Sequence, residues 1–175
     1  MNYFELFGLD ITFDIDNHQL SGLYQALQKS VHPDRYAHAS DQEQRIAVQK
    51  SSMINDAYQT LKTPLKRAEY ILTLRNTDMP NAQASFSDNS FLMRQMELHE
   101  LLSDIDDADD VETAIAEATQ MLDEEFDELF TTLQLLLAEN TSVANQFASE
   151  NLRKLKFYQK LQGDLERIEE RLLDD

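Results

Sequence analysis

The sequence predicts an all-α protein, because turn residues are sparse and apolar residues follow a helical period. The 175 residues include only three Gly and three Pro, whereas an all-β fold needs many turn residues. Apolar side chains recur at intervals of three and four, which is the period of one helical face. We expect an antiparallel helical hairpin with flanking short helices in residues 1–75, a linker in 76–89 and a three-helix bundle in 90–175.

The uneven charge of the chain argues against several classes of function. The net charge is −18; residues 1–75 carry nine acidic and eight basic side chains, whereas residues 76–175 carry 24 and seven. The acidic half would repel a nucleic-acid backbone, and no apolar run is long enough for a membrane span. We expect no secretion signal from the residues at the start of the chain, and the absence of Cys excludes thiolate sites. We expect a cytoplasmic protein that binds neither nucleic acid nor membrane.

The first half is expected to contain four helices, of which the first two begin at clear capping residues. Asn2 and Glu5 have the spacing of a capping box, and Gly8 ends the short first helix. The second helix starts at Asp16 and ends at Pro33, because the residue before a proline is disfavoured in the α region. Its single apolar stripe consists of Leu20, Leu23, Tyr24, Leu27 and Val31.

The third and fourth helices also have recognisable starts. Ser40 with Glu43 predicts the N-terminus of the third helix, which ends before Pro64. The fourth begins at Pro64, since proline is favoured at the first helical position, and runs toward Arg75. The second and third helices are long and closely connected, so we expect them to form an antiparallel pair with the first and fourth packed across it.

The connection between the second and third helices, residues 32–39, is longer than a tight turn requires. Its polar side chains, His32, Asp34, Arg35 and His38, are expected at the exposed tip of the hairpin. One interpretation is that Pro33 breaks the helix and its neighbours are only solvated. A catalytic site is disfavoured because no nucleophile or third group stands out, and the histidines lack zinc spacing. The other interpretation is a surface that a partner contacts.

The second half is expected to contain helices at about 90–105, 110–139 and 143–173, and the first of them has two apolar faces. One face is a core stripe of Phe91, Leu98, Leu102 and Ile105. A second apolar group lies roughly 100–200° around the helix, beside three carboxylates. This group is Leu92, Met93 and Met96, and the carboxylates are Glu97, Glu100 and Asp104.

The last helix repeats this feature, because Phe157 points away from the apolar seam that runs from Leu152 to Leu172. A three-helix bundle with wide buried faces would account for these extra residues. An exposed apolar patch with a carboxylate rim would mark a protein partner instead, and Met suits such a surface because its side chain adapts to different shapes. The spacing alone leaves both interpretations open.

Three motifs give the chain a family resemblance. His-Pro-Asp at 32–34 lies between two helices, and the next helices read INDAYQTLKTPLKRAEYIL, which resembles a J domain. The beginning NYFELFGL and the later FLMRQMELHELL extend the likeness to the HscB family, J-domain co-chaperones of iron–sulfur cluster biosynthesis. The resemblance covers essentially the whole chain.

The resemblance implies two sets of binding residues. His32, Pro33 and Asp34 would dock on a DnaK-type chaperone, HscA, with Lys29 and Arg35 beside them. The family usually has a more basic face before this loop; here Leu23 stands where a cation is common, and Arg45 and Lys50 are the other basic residues nearby. The iron–sulfur scaffold IscU would bind the second set, with Lys156 as a weaker candidate: Leu92, Met93, Met96, Glu97, Glu100, Asp104 and Phe157.

The implied function is that of a monomeric co-chaperone, without a cofactor, that stimulates ATP hydrolysis by HscA and delivers IscU to it. The protein itself would not be an enzyme. One alternative is a general J-domain co-chaperone for unfolded clients, although the chain lacks a Gly-rich or Cys-containing client module. Another is a carboxylate-bridged metal bundle, which would need Glu-x-x-His pairs that this sequence lacks.

Overall fold

The structure is a computed structural model that describes residues 1–80, 84 and 86–173. All regular secondary structure in these residues is helical, which confirms the predicted all-α fold. None of the helices described is long and apolar enough to cross a membrane. Contacts between residues divide the chain into two compact units, residues 1–76 and 77–175.

The first unit has four α-helices, and they begin where the capping residues predict. The Asn2 side chain accepts a hydrogen bond from the Glu5 backbone N–H, and the Glu5 carboxylate accepts one from the Asn2 backbone N–H, which completes the capping box. Asp16 and Ser40 cap the second and third helices. The helices are α1 (Tyr3–Leu6), α2 (Asn17–Val31), α3 (Asp41–Lys62) and α4 (Pro64–Leu74).

Helices α2 and α3 form the predicted antiparallel hairpin. The Tyr24 ring stacks on the Tyr58 ring at 4.1 Å between centroids. One turn further along α2, Gln28 exchanges hydrogen bonds with Ser51, which lies two turns earlier in α3. The shared core includes fully buried side chains from all four helices, namely Phe4, Leu20, Leu61, Ile71 and Leu72.

A buried guanidinium joins α4 to α3 and to the loop between α1 and α2. Arg67 of α4 donates hydrogen bonds to the carbonyl oxygens of Phe13 (2.7 Å) and Leu61 (2.6 Å), and it also lies over the Phe13 ring. Burial lowers the pKa of Arg67, and nearby Asp14 opposes this effect. Because Leu61 is in the last turn of α3, its carbonyl has no partner within that helix and Arg67 satisfies it.

The second unit contains three long helices whose bounds lie within two residues of the predicted ones. They are α5 (Asn89–Ser103), α6 (Val111–Glu139) and α7 (Ser142–Leu173), with a 3₁₀ turn at Asp104–Asp107. Asp88 and Asp110 cap α5 and α6, and Asn140 ends α6 in the left-handed conformation (φ 50°). The predicted core stripe of α5 is buried against Ile115, Leu122, Tyr158, Leu161 and Leu165.

Part of the predicted linker, residues 76–89, packs on α7. Ser149 donates a hydrogen bond to the Asp78 carbonyl, and Arg153 lies over the Phe86 ring at 4.2 Å. Residues 81–83 and 85 of that linker, and the final residues 174–175 of the predicted third segment, lie outside the described residues. The three-part division of the chain therefore stays a prediction.

Candidate functional site

The loop after α2 is a short 3₁₀ turn at Pro33–Tyr36. His32 is extended (φ −56°, ψ 133°), as expected for a residue before proline. Helix α2 therefore ends at Val31, and the chain turns sharply at Pro33. The turn lies between the two long helices of the first unit, at the place that the sequence predicts.

His32 and Asp34 are held together at this turn. The Nδ1 atom of His32 accepts a hydrogen bond from the Asp34 backbone N–H at 3.2 Å, so a neutral His32 carries its proton on Nε2. The Asp34 Oδ2 atom is 3.5 Å from the same Nδ1, and the Asp34 side chain is 92% exposed. The turn thus presents a carboxylate to solvent from a backbone position that His32 fixes.

The side-chain amide of Gln44 in α3 holds the rest of the loop. This contact was not predicted from the sequence. Its side-chain Nε2 lies within hydrogen-bond distance of the carbonyl oxygens of Tyr36, Ala37 and Ala39, at 3.1 to 3.3 Å. A glutamine one turn into a helix gives no sequence signal for this role, because the loop must already be folded for its carbonyls to converge. The loop is therefore held by hydrogen bonds at both ends, by His32 at its start and by Gln44 at its end.

The basic residues of the predicted chaperone-binding set are also at the surface. Lys29 in the last turn of α2 and Arg35 in the 3₁₀ turn are exposed, Pro33 is half-buried, and Leu23 is half-buried in α2. In the part of the chain that the structure describes, no group of three or more His, Asp or Glu side chains could hold a metal ion. The arrangement suits contact with a partner.

The second apolar group of α5 is at the surface. Leu92 is half-buried, whereas Met93 is 64% and Met96 is 73% exposed. The core stripe on the opposite side of the helix is buried, with Leu98 wholly inaccessible. These exposures decide between the two interpretations of the spacing, because they show that the methionines are not part of a wide core.

Phe157 lies at the border between core and surface. Its ring packs edge-on against Phe91 at 5.6 Å and Tyr158 at 5.7 Å, and against exposed His99 at 5.6 Å. His99 was not among the residues predicted from the sequence. The signal was present, because Leu92, Met96 and His99 follow the i, i+4, i+7 spacing of one helical face. We define the apolar patch as Leu92, Met93, Met96, His99 and Phe157.

The three carboxylates beside the apolar patch differ in their partners. Glu97 accepts a hydrogen bond from Arg94 at 2.8 Å, and Arg94 also binds Glu125 of α6 at 2.7 Å. Both hydrogen bonds raise the pKa of Arg94, and the bond to Glu125 has the larger effect. The exposed side chains of Glu100 and Asp104 make no ion pair or hydrogen bond with residues that the structure describes. Glu100 and Asp104 are therefore the two available carboxylates of the rim.

Two family models match this chain, and their matched ranges include the turn after α2 and the apolar patch, respectively. The model of the DnaJ domain matches residues 2–70, and that of the HSCB C-terminal oligomerisation domain matches residues 87–166. The co-chaperone protein HscB homolog of Colwellia psychrerythraea is 57% identical over the full length of both chains. The chain belongs to the HscB family of co-chaperones. The Aeromonas salmonicida HscB homolog is 45% identical, with 99% of each chain covered.

Solved HscB structures share the fold of this chain. The chaperone HscB from Vibrio cholerae has a TM-score of 0.88 at 43% identity, with 99% of this chain and 100% of that chain covered. Human co-chaperone HscB has a TM-score of 0.88 at 27% identity, with 98% and 84% covered. As a J-domain co-chaperone of the HscB family, the protein is not itself an enzyme and its partner is a chaperone of the DnaK type. The expected monomeric state stays a prediction.

Proposed function

We propose that this HscB-family protein acts in the cytoplasm to stimulate ATP hydrolysis by the chaperone HscA and to deliver the scaffold IscU to it for iron–sulfur cluster assembly or transfer. The chaperone would bind at His32, Pro33, Asp34, Lys29 and Arg35. The scaffold would bind at the apolar patch and its rim of Glu97, Glu100 and Asp104. The observation that carries the proposal is the Asp34 carboxylate at the J-domain turn. It is exposed to solvent, while the Asp34 backbone N–H is hydrogen-bonded to His32.

The chemistry of the turn fits a chaperone surface that contains an arginine. A carboxylate and a guanidinium form a charge-assisted pair, the stronger kind of hydrogen bond. Because His32 and Pro33 already restrict the backbone around Asp34, the backbone loses little further conformational entropy when the pair forms. Lys29 and Arg35 add positive charge nearby, which would favour approach of an acidic surface.

Stimulation of hydrolysis would follow from differential affinity. We assign the turn no chemical step at the chaperone nucleotide site. A partner that binds one conformation of the chaperone better than another shifts the population toward that conformation. We therefore assign the turn the role of selecting the hydrolysis-competent state of HscA.

The apolar patch fits a protein partner such as IscU. Met93 and Met96 place flexible, polarisable side chains in solvent, where they can adapt to a complementary apolar surface. Phe157 gives the patch a rigid aromatic border, and aromatic residues often dominate binding free energy at interfaces. Glu100 and Asp104 would pair with basic groups of the scaffold. Lys156 precedes Phe157 and is exposed.

An ATPase assay with purified HscA tests the proposal. Hydrolysis would be measured with HscA alone, with this protein, with IscU, and with both. We expect this protein to raise the rate and the two additions together to raise it more than the sum of their separate effects, because one chain that holds both partners raises their effective concentration. A rate that is the same with and without this protein would contradict the chaperone role.

The scaffold role has a separate binding test. We expect Leu92→Ala combined with Phe157→Ala to weaken IscU binding by about 1–3 kcal/mol, the usual effect of removing interface anchors. Calorimetric titration of IscU measures the dissociation constant. An unchanged value would argue against the apolar patch as the binding surface.

A further inference from the structure

A groove borders the apolar patch on the side away from the carboxylate rim. It has a volume of about 340 Å³ and is lined by Phe86, Gln95, Arg153, Lys156, Phe157 and Lys160. Phe157 belongs both to this groove and to the apolar patch, so the two surfaces are continuous. We call this feature the basic groove.

The charge of the basic groove is opposite to that of the surrounding sequence. Residues 76–175 contain 24 acidic and only seven basic side chains, yet three of those seven line this groove and no carboxylate is among its six lining residues. Arg153 is engaged with Glu150 and the Ala84 carbonyl. Lys160 is exposed and makes no ion pair or hydrogen bond with the described residues.

Helix geometry places the basic groove and the available carboxylates on opposite sides of the apolar patch. At roughly 100° per residue, Gln95 points about 140° away from Glu100 around α5, and Asp104 follows at the C-terminal end of that helix, in the 3₁₀ turn. Leu92 and Met96 lie between Gln95 and Glu100, whereas Met93 lies beside Glu100 on the acidic edge. The surface is therefore apolar in the middle, acidic along one edge and basic along the other.

We propose that the basic groove binds an acidic segment of the same scaffold that covers the apolar patch, and so fixes the orientation of that scaffold. The inference rests on the function proposed above. A carboxylate of the segment would pair with Lys160, with Lys156 nearby, while the Phe86 and Phe157 rings contact its apolar atoms and the Gln95 amide donates a hydrogen bond.

The proposal predicts a partner with a matching order of charges. Basic groups of the scaffold would meet Glu100 and Asp104, and acidic groups would meet the basic groove. A scaffold docked the other way round would bring like charges together at both edges, which is costly. The apolar patch would supply much of the affinity, and the two charged edges would select one orientation.

Charge substitutions at Lys160 test the proposal. Calorimetric titration with purified IscU would compare the wild type with Lys160→Gln and Lys160→Glu, and with Lys66→Glu as a control for the same change in net charge. Lys66 is exposed on α4, in the other unit. We expect about threefold weaker binding for Lys160→Gln and about tenfold for Lys160→Glu, as for loss and reversal of one interface ion pair.

Salt dependence provides a second measurement. Since an exposed ion pair is screened by salt, Lys160→Gln should show a smaller increase in dissociation constant between low and high salt than the wild type. Stimulation of HscA in the absence of IscU should be the same for both proteins, because Lys160 lies outside the residues assigned to the chaperone.

The outcomes separate this inference from the function on which it rests. If Lys160→Glu leaves the dissociation constant within twofold of the wild type while Met96→Ala raises it, the basic groove is not used and the apolar patch still is. If neither variant changes it, both proposals for the scaffold fail. Equal weakening by Lys66→Glu would also overturn the inference, because the effect would then be one of net charge.

Discussion

The imidazole of His32 accepts a hydrogen bond from the backbone N–H of Asp34, 3.2 Å away, while the Asp34 carboxylate faces solvent. His32 thus acts as the cap of the 3₁₀ turn, and its Nε2 is left for another molecule. Any substitution at position 32 is expected to act in two ways: it changes what the partner meets, and it loosens the backbone that carries Asp34.

His32→Gln is expected to abolish stimulation of the HscA ATPase while leaving the fold intact. Glutamine is not among the residues preferred at an N-cap, and its extra rotatable bond would not hold the turn as an imidazole does. The side chain of His32 is 56% exposed, so no core contact is lost. The measurement is the ATPase rate at saturating co-chaperone, with circular dichroism to verify the fold.

His38→Gln is the matched control for that variant. His38 is exposed in the same loop, two residues beyond the end of the 3₁₀ turn. It should retain stimulation close to that of the wild type. Full stimulation by His32→Gln, or equal loss in both variants, would refute a specific role for His32.

Met93→Ala with Met96→Ala is expected to weaken IscU binding without changing protein stability. Both side chains are mainly exposed, so the folded state loses little by their truncation, whereas an interface would lose their apolar contact. We expect a loss of about 1–3 kcal/mol in binding, measured by titration calorimetry, and a melting temperature within error of the wild type.

Leu135→Ala is the control for the methionine variant. Leu135 is 69% exposed on α6 and is not part of the apolar patch. If it weakens IscU binding as much as the methionine substitutions do, the scaffold does not recognise the apolar patch specifically.

Most of the fold could be predicted because its signals are local. Helix starts depend on a capping side chain two or three residues away, as at Asn2, Asp16 and Ser40, and these were located correctly. The role of Arg67 was not predicted, because its acceptor Phe13 is 54 residues away in the sequence. A contact of that kind depends on how helices pack and leaves no periodic signal.

The candidate site could be predicted to a smaller extent. Helical spacing separated Met93 and Met96 from the core stripe, and a proline located the turn at Pro33. The pairing of Glu97 with Arg94 is a local contact between residues three apart, whereas the second bond of Arg94, to Glu125 of α6, joins residues 31 apart and leaves no periodic signal. The basic groove was missed because its lining residues come from three separate stretches of the chain.

Arg67→Met is expected to destabilise the first unit by about 3 kcal/mol. The substitution removes two hydrogen bonds from a charged donor, each worth about 1.5–3 kcal/mol. This loss of stability is partly offset, because the variant no longer buries a charged guanidinium. Hydrogen exchange with mass spectrometry resolves the effect, since protection should fall in α3 and α4 and stay the same in α6 and α7.

Lys66→Met provides the control beside Arg67. Lys66 is exposed on the same helix, so we expect a change of no more than about 0.5 kcal/mol. If Arg67→Met is no more destabilising than Lys66→Met, the buried hydrogen bonds are not important for the stability of the first unit.

Tyr158 is expected to make the stability of the second unit sensitive to alkaline pH. Burial raises the pKa of Tyr158 to about 12, and Glu125 adds to the effect while Arg94 opposes it. An unfolded tyrosine has a pKa of about 10, so the unfolded chain releases this proton first as the pH rises. The folded state therefore loses stability between about pH 10 and about pH 12.

Tyr158→Phe removes this pH dependence, because phenylalanine has no proton to release. We expect the free energy of unfolding of the wild type to fall relative to that of the variant as the pH rises from 10 to 12. Below pH 10 their difference should be constant. Urea unfolding at a series of pH values measures it, and absorbance at 295 nm should show one fewer late-titrating tyrosine in the variant. A difference in stability that is independent of pH from 8 to 12 would mean that Tyr158 ionises as readily in the folded protein as in the unfolded chain.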